Sequence, residues 1–298
     1  PDLPLGVYGS LLPWFDQHGV KTMIWSGGEP LLHPEFDRLL NLAKGHGCYN
    51  TVITNGSILD GCLDIYLPLL DQVIISLDAH SSEVYEAIRG IDCFYRIVTL
   101  PNKIKMKNPA IEVAVCFLIQ RRNIDYLAHF LEMVAVMPVD RVALLVPDFS
   151  GFANPDERGH SFGRIRAATP ESLAEVVPTL TQVQDLRNKQ SELNRHFGGR
   201  VNCPTLQNLD QYCSYFEDTI RGFSPAEGGF CLFPFRKIVV TATGRLKPCF
   251  FVAEEVEVTT DIDPLQSPQL TSIRYRLHND AATRDRSCRH CLQTKRGH

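Results

Sequence analysis

A chain of 298 residues holds one large or two medium domains, and its 44% hydrophobic and 21% charged residues mark it as globular rather than disordered. Thirty basic against 34 acidic residues leave a formal net charge of −4, without the basic footprint that nucleic acid requires. Apolar runs such as residues 142–146 and 238–240 fall far short of the ~20 residues of a bilayer span, so no membrane partner is expected either.

Ten cysteines without a secretory segment predict a cytoplasmic protein whose clustered thiols serve metal or redox chemistry rather than disulfides. In chain order, a helix over residues 6–18 feeds a first strand at 22–25, and a further strand is expected before it. Strands at 50–54, 72–77, 111–118 and 141–146 alternate with helices at 35–44, 59–69, 82–89, 95–107 and 124–137, the pattern of successive βα units on a parallel sheet. Residues 147–168 read as a long loop. One long helix is predicted over 170–197, bent at Pro178, with Thr169 as its N-cap and Gly198-Gly199 as its stop. Strand, turn and strand at 235–241, 242–244 and 245–251 predict a small hairpin domain. The expected division is a barrel over 1–168, a helical linker over 169–225 and an auxiliary domain over 226–298.

Three small polar clusters fall at predicted strand ends: Ser26-Gly27-Gly28-Glu29-Pro30, Thr54-Asn55-Gly56 and Ser76-Leu77-Asp78. All strand C-termini of a wound parallel sheet open on one face, where such folds bind ligands. Paired glycines let backbone approach a ligand closely. Asp148, Arg121 and Tyr126, at or just after strand ends, are the candidates for substrate contact.

Cys231, Cys249, Cys288 and Cys291 surround the hairpin and the chain end, so four thiolates could converge on tetrahedral zinc or on an iron–sulfur cluster. The 17 residues between the first two are unlike the paired knuckles of a zinc ribbon. Cysteines 48, 62, 93, 116, 203 and 213 have no ligand spacing and read as filler; Cys62 and Cys116 in particular read as small buried hydrophobes.

Residues 25–32 (Trp-Ser-Gly-Gly-Glu-Pro-Leu-Leu) resemble the GGEP motif of radical S-adenosylmethionine (SAM) enzymes, and Ile53-Thr54-Asn55-Gly56, Ile75-Ser76-Leu77-Asp78 and Ile88-Arg89-Gly90 follow in that family's order. Cys231, Gly244 and Cys249, with the distal Cys288-x-x-Cys291, resemble the auxiliary-cluster domain of its twitch or SPASM members. The cysteine that a full SPASM domain places six positions after Cys291 is Gly297 here, which favours the shorter twitch form. The resemblance implies a partial (β/α)6 TIM-like barrel with a small C-terminal hairpin and helix domain. It implies SAM and a 4Fe–4S cluster as cofactors, an auxiliary 4Fe–4S cluster on Cys231, Cys249, Cys288 and Cys291, and an external donor of flavodoxin or ferredoxin type. The family's Cys-x3-Cys-x2-Cys loop has no counterpart among these residues and is expected upstream of Pro1.

Carried over by motif, Gly27, Gly28 and Glu29 would hold the amino and carboxylate ends of SAM, with Thr54 and Asn55 on the same rim. Ser76 and Asp78 would lie near the ribose, and Val146 and Pro147 by the adenine. The implied activity is formation of a 5′-deoxyadenosyl radical and oxidative modification of a peptide or a small molecule, of which an aminocyclitol-like dehydrogenation is one form. Two rivals from other classes are a zinc-stabilised module on an inactive α/β scaffold and a phosphate-binding α/β enzyme. The second lacks the glycine spacing of dinucleotide and P-loop sites.

Overall fold

The computed structural model describes residues 2–147, 174–222, 232–250, 252, 254–258 and 263–279. Helix α1 (Leu5–Gln17) precedes five strands, β1 (Thr22–Trp25), β2 (Tyr49–Thr54), β3 (Gln72–Ser76), β4 (Glu112–Leu118) and β5 (Arg141–Leu145), which pair in parallel in sequence order. The crossovers carry α2 (Phe36–Gly45), the single turn α3 (Leu63–Tyr66), α4 (Ser82–Arg89), α5 (Phe94–Lys107) and α6 (Leu127–Val134). This is the mixed α/β, partial-barrel architecture expected. The helix predicted over 59–69 is instead broken into short turns, Leu59–Gly61, Leu63–Tyr66 and Leu67–Leu69. Gly61 and the proline at 68, which has no amide to donate, interrupt the helical ladder.

The two-residue period of the strands sorts the sheet into two faces. Val52, Val73, Val113 and Val115 are fully buried, whereas Ile24 and Leu145 on the opposite face are 50% and 43% exposed. At the N-terminal end of β2, the fully buried Asn50 pins sheet to helices: its Nδ2 donates to the carbonyls of Leu40 (3.1 Å) and Leu69 (3.0 Å), and its Oδ1 accepts from Trp25 Nε1 (3.0 Å).

The outer edge of β5 is covered by a non-strand segment. Val142 N donates to Asn202 O (2.9 Å), Leu144 N to Thr205 Oγ1 (2.7 Å), and Tyr212 Oη donates to Leu144 O (3.0 Å). These bonds satisfy edge groups that an open sheet would expose. The segment belongs to a linker of α7 (Leu180–Phe197) and α8 (Leu209–Arg221). Residues 174–176 are helical, the helical run breaks at 177–179, and α7 begins after Pro178, where Thr179 forms a capping box with Gln182; the expected start at 170 with its Thr169 cap lies outside the described residues. Cys203 and Cys213 are buried in this packing, as filler. Cys62 and Cys116 are only partly buried, because Cys62 lies in the broken turn region and Cys116 on the open face of β4.

The chain forms two compact units, one of Val20–Pro147 with Pro170–Ile220, the other including Pro1–Gly19 and Arg221–His298. Residues 1–19 were expected with the barrel; they pack instead with the C-terminal region. Val7 of α1 fills the space beside Gly244, and His18 Nε2 lies 2.6 Å from Asp263 Oδ2. Gly244 has φ +80 and a Cβ there would meet Val7, so turn conformation and packing both require glycine. The hairpin is short, β6 (Val239–Val240) against β7 (Leu246–Lys247), and α9 (Phe233–Arg236) occupies residues expected as strand. Pro248 ends β7 because it has no amide for the ladder. Helix α10 (Pro268–Asn279) follows.

Candidate active site at the strand C-termini

The three polar clusters do fall at the C-terminal ends of β1, β2 and β3. After β1, Gly27 adopts φ +150, a conformation essentially reserved for glycine, and a Cβ at Gly27 or Gly28 would meet no atom of the described residues within 4 Å. The loop therefore faces open space. Glu29 caps the turn Pro30–Leu32, whose first residue is pre-set by the proline ring. Its carboxylate also crosses to β2: Oε1 accepts from Thr54 Oγ1 (2.8 Å) and Oε2 from Asn55 N (2.9 Å). The expected ligand residues Glu29, Thr54 and Asn55 are thus joined to one another, and the glutamate fixes the glycine loop against the second strand.

The β2 end is locked in turn. Thr54 Oγ1 accepts from Gly56 N (2.9 Å), Asn55 Oδ1 accepts from Ser57 N (2.8 Å), and Gly56 has φ +78. A Cβ on Gly56 would approach Ile97 Cδ1 to 2.9 Å and Leu100 Cδ2 to 3.0 Å.

At the β3 end Ser76 is half-buried beside Cys116 of β4, on the less buried face of the sheet. Asp78 behaves differently. It is 3% exposed, with φ 55, and its carboxylate accepts from Leu118 N (2.7 Å) and from Arg89 Nη2. Asp78, expected near the ribose, turns its oxygens inward to tie β3 to β4. Burial pushes the Asp78 carboxyl upward against the opposing pull of Arg89 and the Leu118 amide. Burial, with the Asp78 charge nearby, also pushes the Cys116 thiol up to about 12. Asn123, fully buried and absent from the sequence expectations, completes the tie. Its Nδ2 donates to Asp78 O (3.0 Å) and Leu118 O (2.9 Å), and its Oδ1 accepts from Gln120 N (2.8 Å). An asparagine three residues after Gln120 in a strand-to-helix connection was its sequence signal.

Of the expected substrate contacts, Asp148 lies outside the described residues. Arg121 turns to the linker, where its amide donates to Val176 O (2.8 Å) and its guanidinium to Ala174 O. Tyr126 stacks on His80 with ring centroids 4.5 Å apart, and His129 lies 5.3 Å from His80. Pro147 O accepts from Tyr215 Oη (3.1 Å), so Val146 and Pro147 are held at the β5 end.

Cys249, just past β7, is 8% exposed; Cys231, Cys288 and Cys291 lie outside the described residues. Among the described residues no group of three or more His, Cys, Asp or Glu is placed to hold a metal, and no helix is long and apolar enough to cross a membrane.

Residues 11–134 match the family model of the radical SAM superfamily. The chain is 34% identical over 119 residues to a GTP 3′,8-cyclase of Chlorobaculum tepidum, spanning 39% of this chain and 36% of that protein. It is 28% identical over 246 residues to a probable GTP 3′,8-cyclase of Saccharolobus islandicus, spanning 82% of this chain and 72% of that protein. In fold it is similar to anSMEcpe with bound AdoMet and a Cp18Cys peptide, at TM-score 0.62 and 15% identity over 98% of this chain and 82% of the other. It is also similar to Streptococcus suis SuiB bound to precursor peptide SuiA, at TM-score 0.61 and 15% identity over 91% and 60% of the two chains. With the glycine loop, its glutamate tie and the parallel sheet behind them, the match over residues 11–134 shows that this part of the chain is similar to the radical SAM superfamily.

Proposed function

We propose that the chain serves an enzyme that uses SAM to oxidise a peptide or small-molecule substrate by hydrogen abstraction, with an auxiliary 4Fe–4S cluster relaying an electron. The observation that carries it is the Gly27-Gly28 loop, open on its outer side and anchored through Glu29 to Thr54 and Asn55. The open side leaves room for a ligand, and the tie fixes the backbone groups that would meet it. Gly27 and Gly28 would hold the amino and carboxylate ends of SAM, with Glu29, Thr54 and Asn55 keeping that backbone in place. Ser76 would face the ribose, and Val146 and Pro147 the adenine. SAM with its 4Fe–4S cluster supplies, when bound, the 5′-deoxyadenosyl radical that this family uses to abstract hydrogen. The protein's part is to orient the nucleoside and keep water from the rim.

Cys231, Cys249, Cys288 and Cys291 would hold the auxiliary cluster, and a flavodoxin or ferredoxin type donor would feed the system. Two matches pull the substrate in different directions: the curated relatives are named for a reaction of GTP, whereas the solved structures of similar fold carry peptides. The sequence identity, higher for the cyclases, keeps a nucleotide beside the peptide as a small-molecule substrate.

Anaerobic reconstitution with iron and sulfide tests the reading. A brown protein with iron and sulfide in equal amounts, which loses both when Cys249 is replaced by Ala, is the expected result. Zinc without iron, together with no calorimetric binding of SAM, would overturn it in favour of a zinc-stabilised module.

A further inference from the structure

Asn50 and Asn123 are both fully buried, and each donates from Nδ2 to two backbone carbonyls and accepts once at Oδ1. As polar cores they are equivalent; in position they are opposite. Asn50 sits at the start of β2, while Asn123 ties the connections that leave β3 and β4, beside Ser76 and Cys116. Asp78 and Arg89 bond within the same tie, so three side chains from three segments set one local backbone arrangement. Arg89 Nε is itself buried without a hydrogen-bond partner among the described residues.

Resting on the SAM-binding reading above, we propose that Asn123, with Asp78 and Arg89, is a positioning residue for the nucleoside end of the cofactor. It touches no ligand. Its two donors and one acceptor instead fix where the β3 terminus, and Ser76 with it, stands relative to β4. A buried group left unpaired is relieved by backbone movement. Movement here displaces the backbone of the rim, whereas Asn50 acts on backbone at the start of β2 and meets the C-terminal residue of β1 through the Trp25 indole alone. A site held to within a fraction of an ångström loses affinity when its supporting layer shifts.

The test is calorimetric binding of S-adenosylhomocysteine to the full chain, run beside denaturant unfolding, for the native protein, Asn123→Ala and Asn50→Ala. The expected result is comparable destabilisation of the two variants, with affinity reduced about tenfold in Asn123→Ala and unchanged within about twofold in Asn50→Ala. Equal affinities for the two variants would overturn the proposal and leave Asn123 a structural residue. Should Asn123→Ala not fold, Arg89→Gln and Arg89→Lys decide: Arg89→Gln should lose affinity and Arg89→Lys, which keeps the charge against Asp78, should recover part of it. Native affinity in both Arg89 variants would overturn the proposal. Absence of binding by the native chain would remove the SAM reading itself, and the proposal with it.

Discussion

The two ends of the parallel sheet are held by similar chemistry and differ in what that chemistry protects. At the N-terminal end, the buried Asn50 binds strand to helices through Leu40 and Leu69 and accepts from the half-buried Trp25. At the C-terminal end, Glu29, Asp78 and Asn123 bind one strand connection to the next beside a glycine loop that faces open space. The same kind of hydrogen bond therefore joins strand to helices at one end and strand connections to one another at the other. Burial at both ends looks alike; only the neighbours tell them apart.

The comparison breaks most sharply under substitution of the paired asparagines. Asn50→Ala and Asn123→Ala should each lower unfolding free energy by about 3 kcal/mol, since each leaves buried carbonyls and a donor unpaired. Urea denaturation checks this, and a difference above about 2 kcal/mol would show the two ends to be energetically unlike.

Glycines sharpen it further. Gly56→Ala forces a Cβ against Ile97 and Leu100 at positive φ and should cost about 2 kcal/mol. Gly27→Ala meets no atom and should cost about 1 kcal/mol from conformation alone, while weakening SAM binding more than Gly56→Ala does. Thermal melts with calorimetry separate the two effects.

A smaller effect concerns the thiols. Burial raises Cys116 to about 12 and Cys213 to about 11, so at pH 8 both stay protonated and should resist iodoacetamide until the protein unfolds. Peptide mass mapping checks this; prompt modification of Cys116 would mean the open face of β4 admits reagent freely.

The smallest effect lies at the surface, away from both ends. Arg200 and His196 hold the Glu132 carboxyl at about 2. A carboxyl depressed in the folded state contributes its stability above the unfolded value of 4.5 and loses it as pH falls toward 2. The difference between native protein and Glu132→Gln should therefore vanish on acidification, and at neutral pH it should shrink with salt because the pair is exposed.

Much of the sheet was legible beforehand because strand and helix periods in residues 20–147 are strong and local. Thr22–Trp25 and Ser82–Arg89 were placed to the residue, and the other strands within a residue at either end. The helix was expected to run unbroken past Pro178, whereas the Gln182 side chain reaching back to Thr179 starts α7 anew after the proline. The rim motifs were visible as types at strand ends, but the direction in which Asp78 points was not. Asp and Ser at a strand end offer the same polarity to sequence reading, and it takes the Leu118 amide and Arg89 to turn one of them inward. Asn123 was missed for a related reason: its place in a strand-to-helix connection is visible in the sequence, but the distant Asp78 carbonyl that it meets is not.

By itself the sequence determined the order of βα units, the glycines that a turn demands, and the resemblance of residues 11–134 to the radical SAM superfamily, because periodicity and short motifs are local properties of the chain. Tertiary structure alone decided that residues 1–19 pack with the C-terminal region, that linker residues 202–212 cover the outer edge of β5, and that Asp78 and Asn123 face inward. Those outcomes depend on which groups meet across long sequence separations. Pairing of buried donors with acceptors is settled by three-dimensional proximity, not by neighbouring residue types.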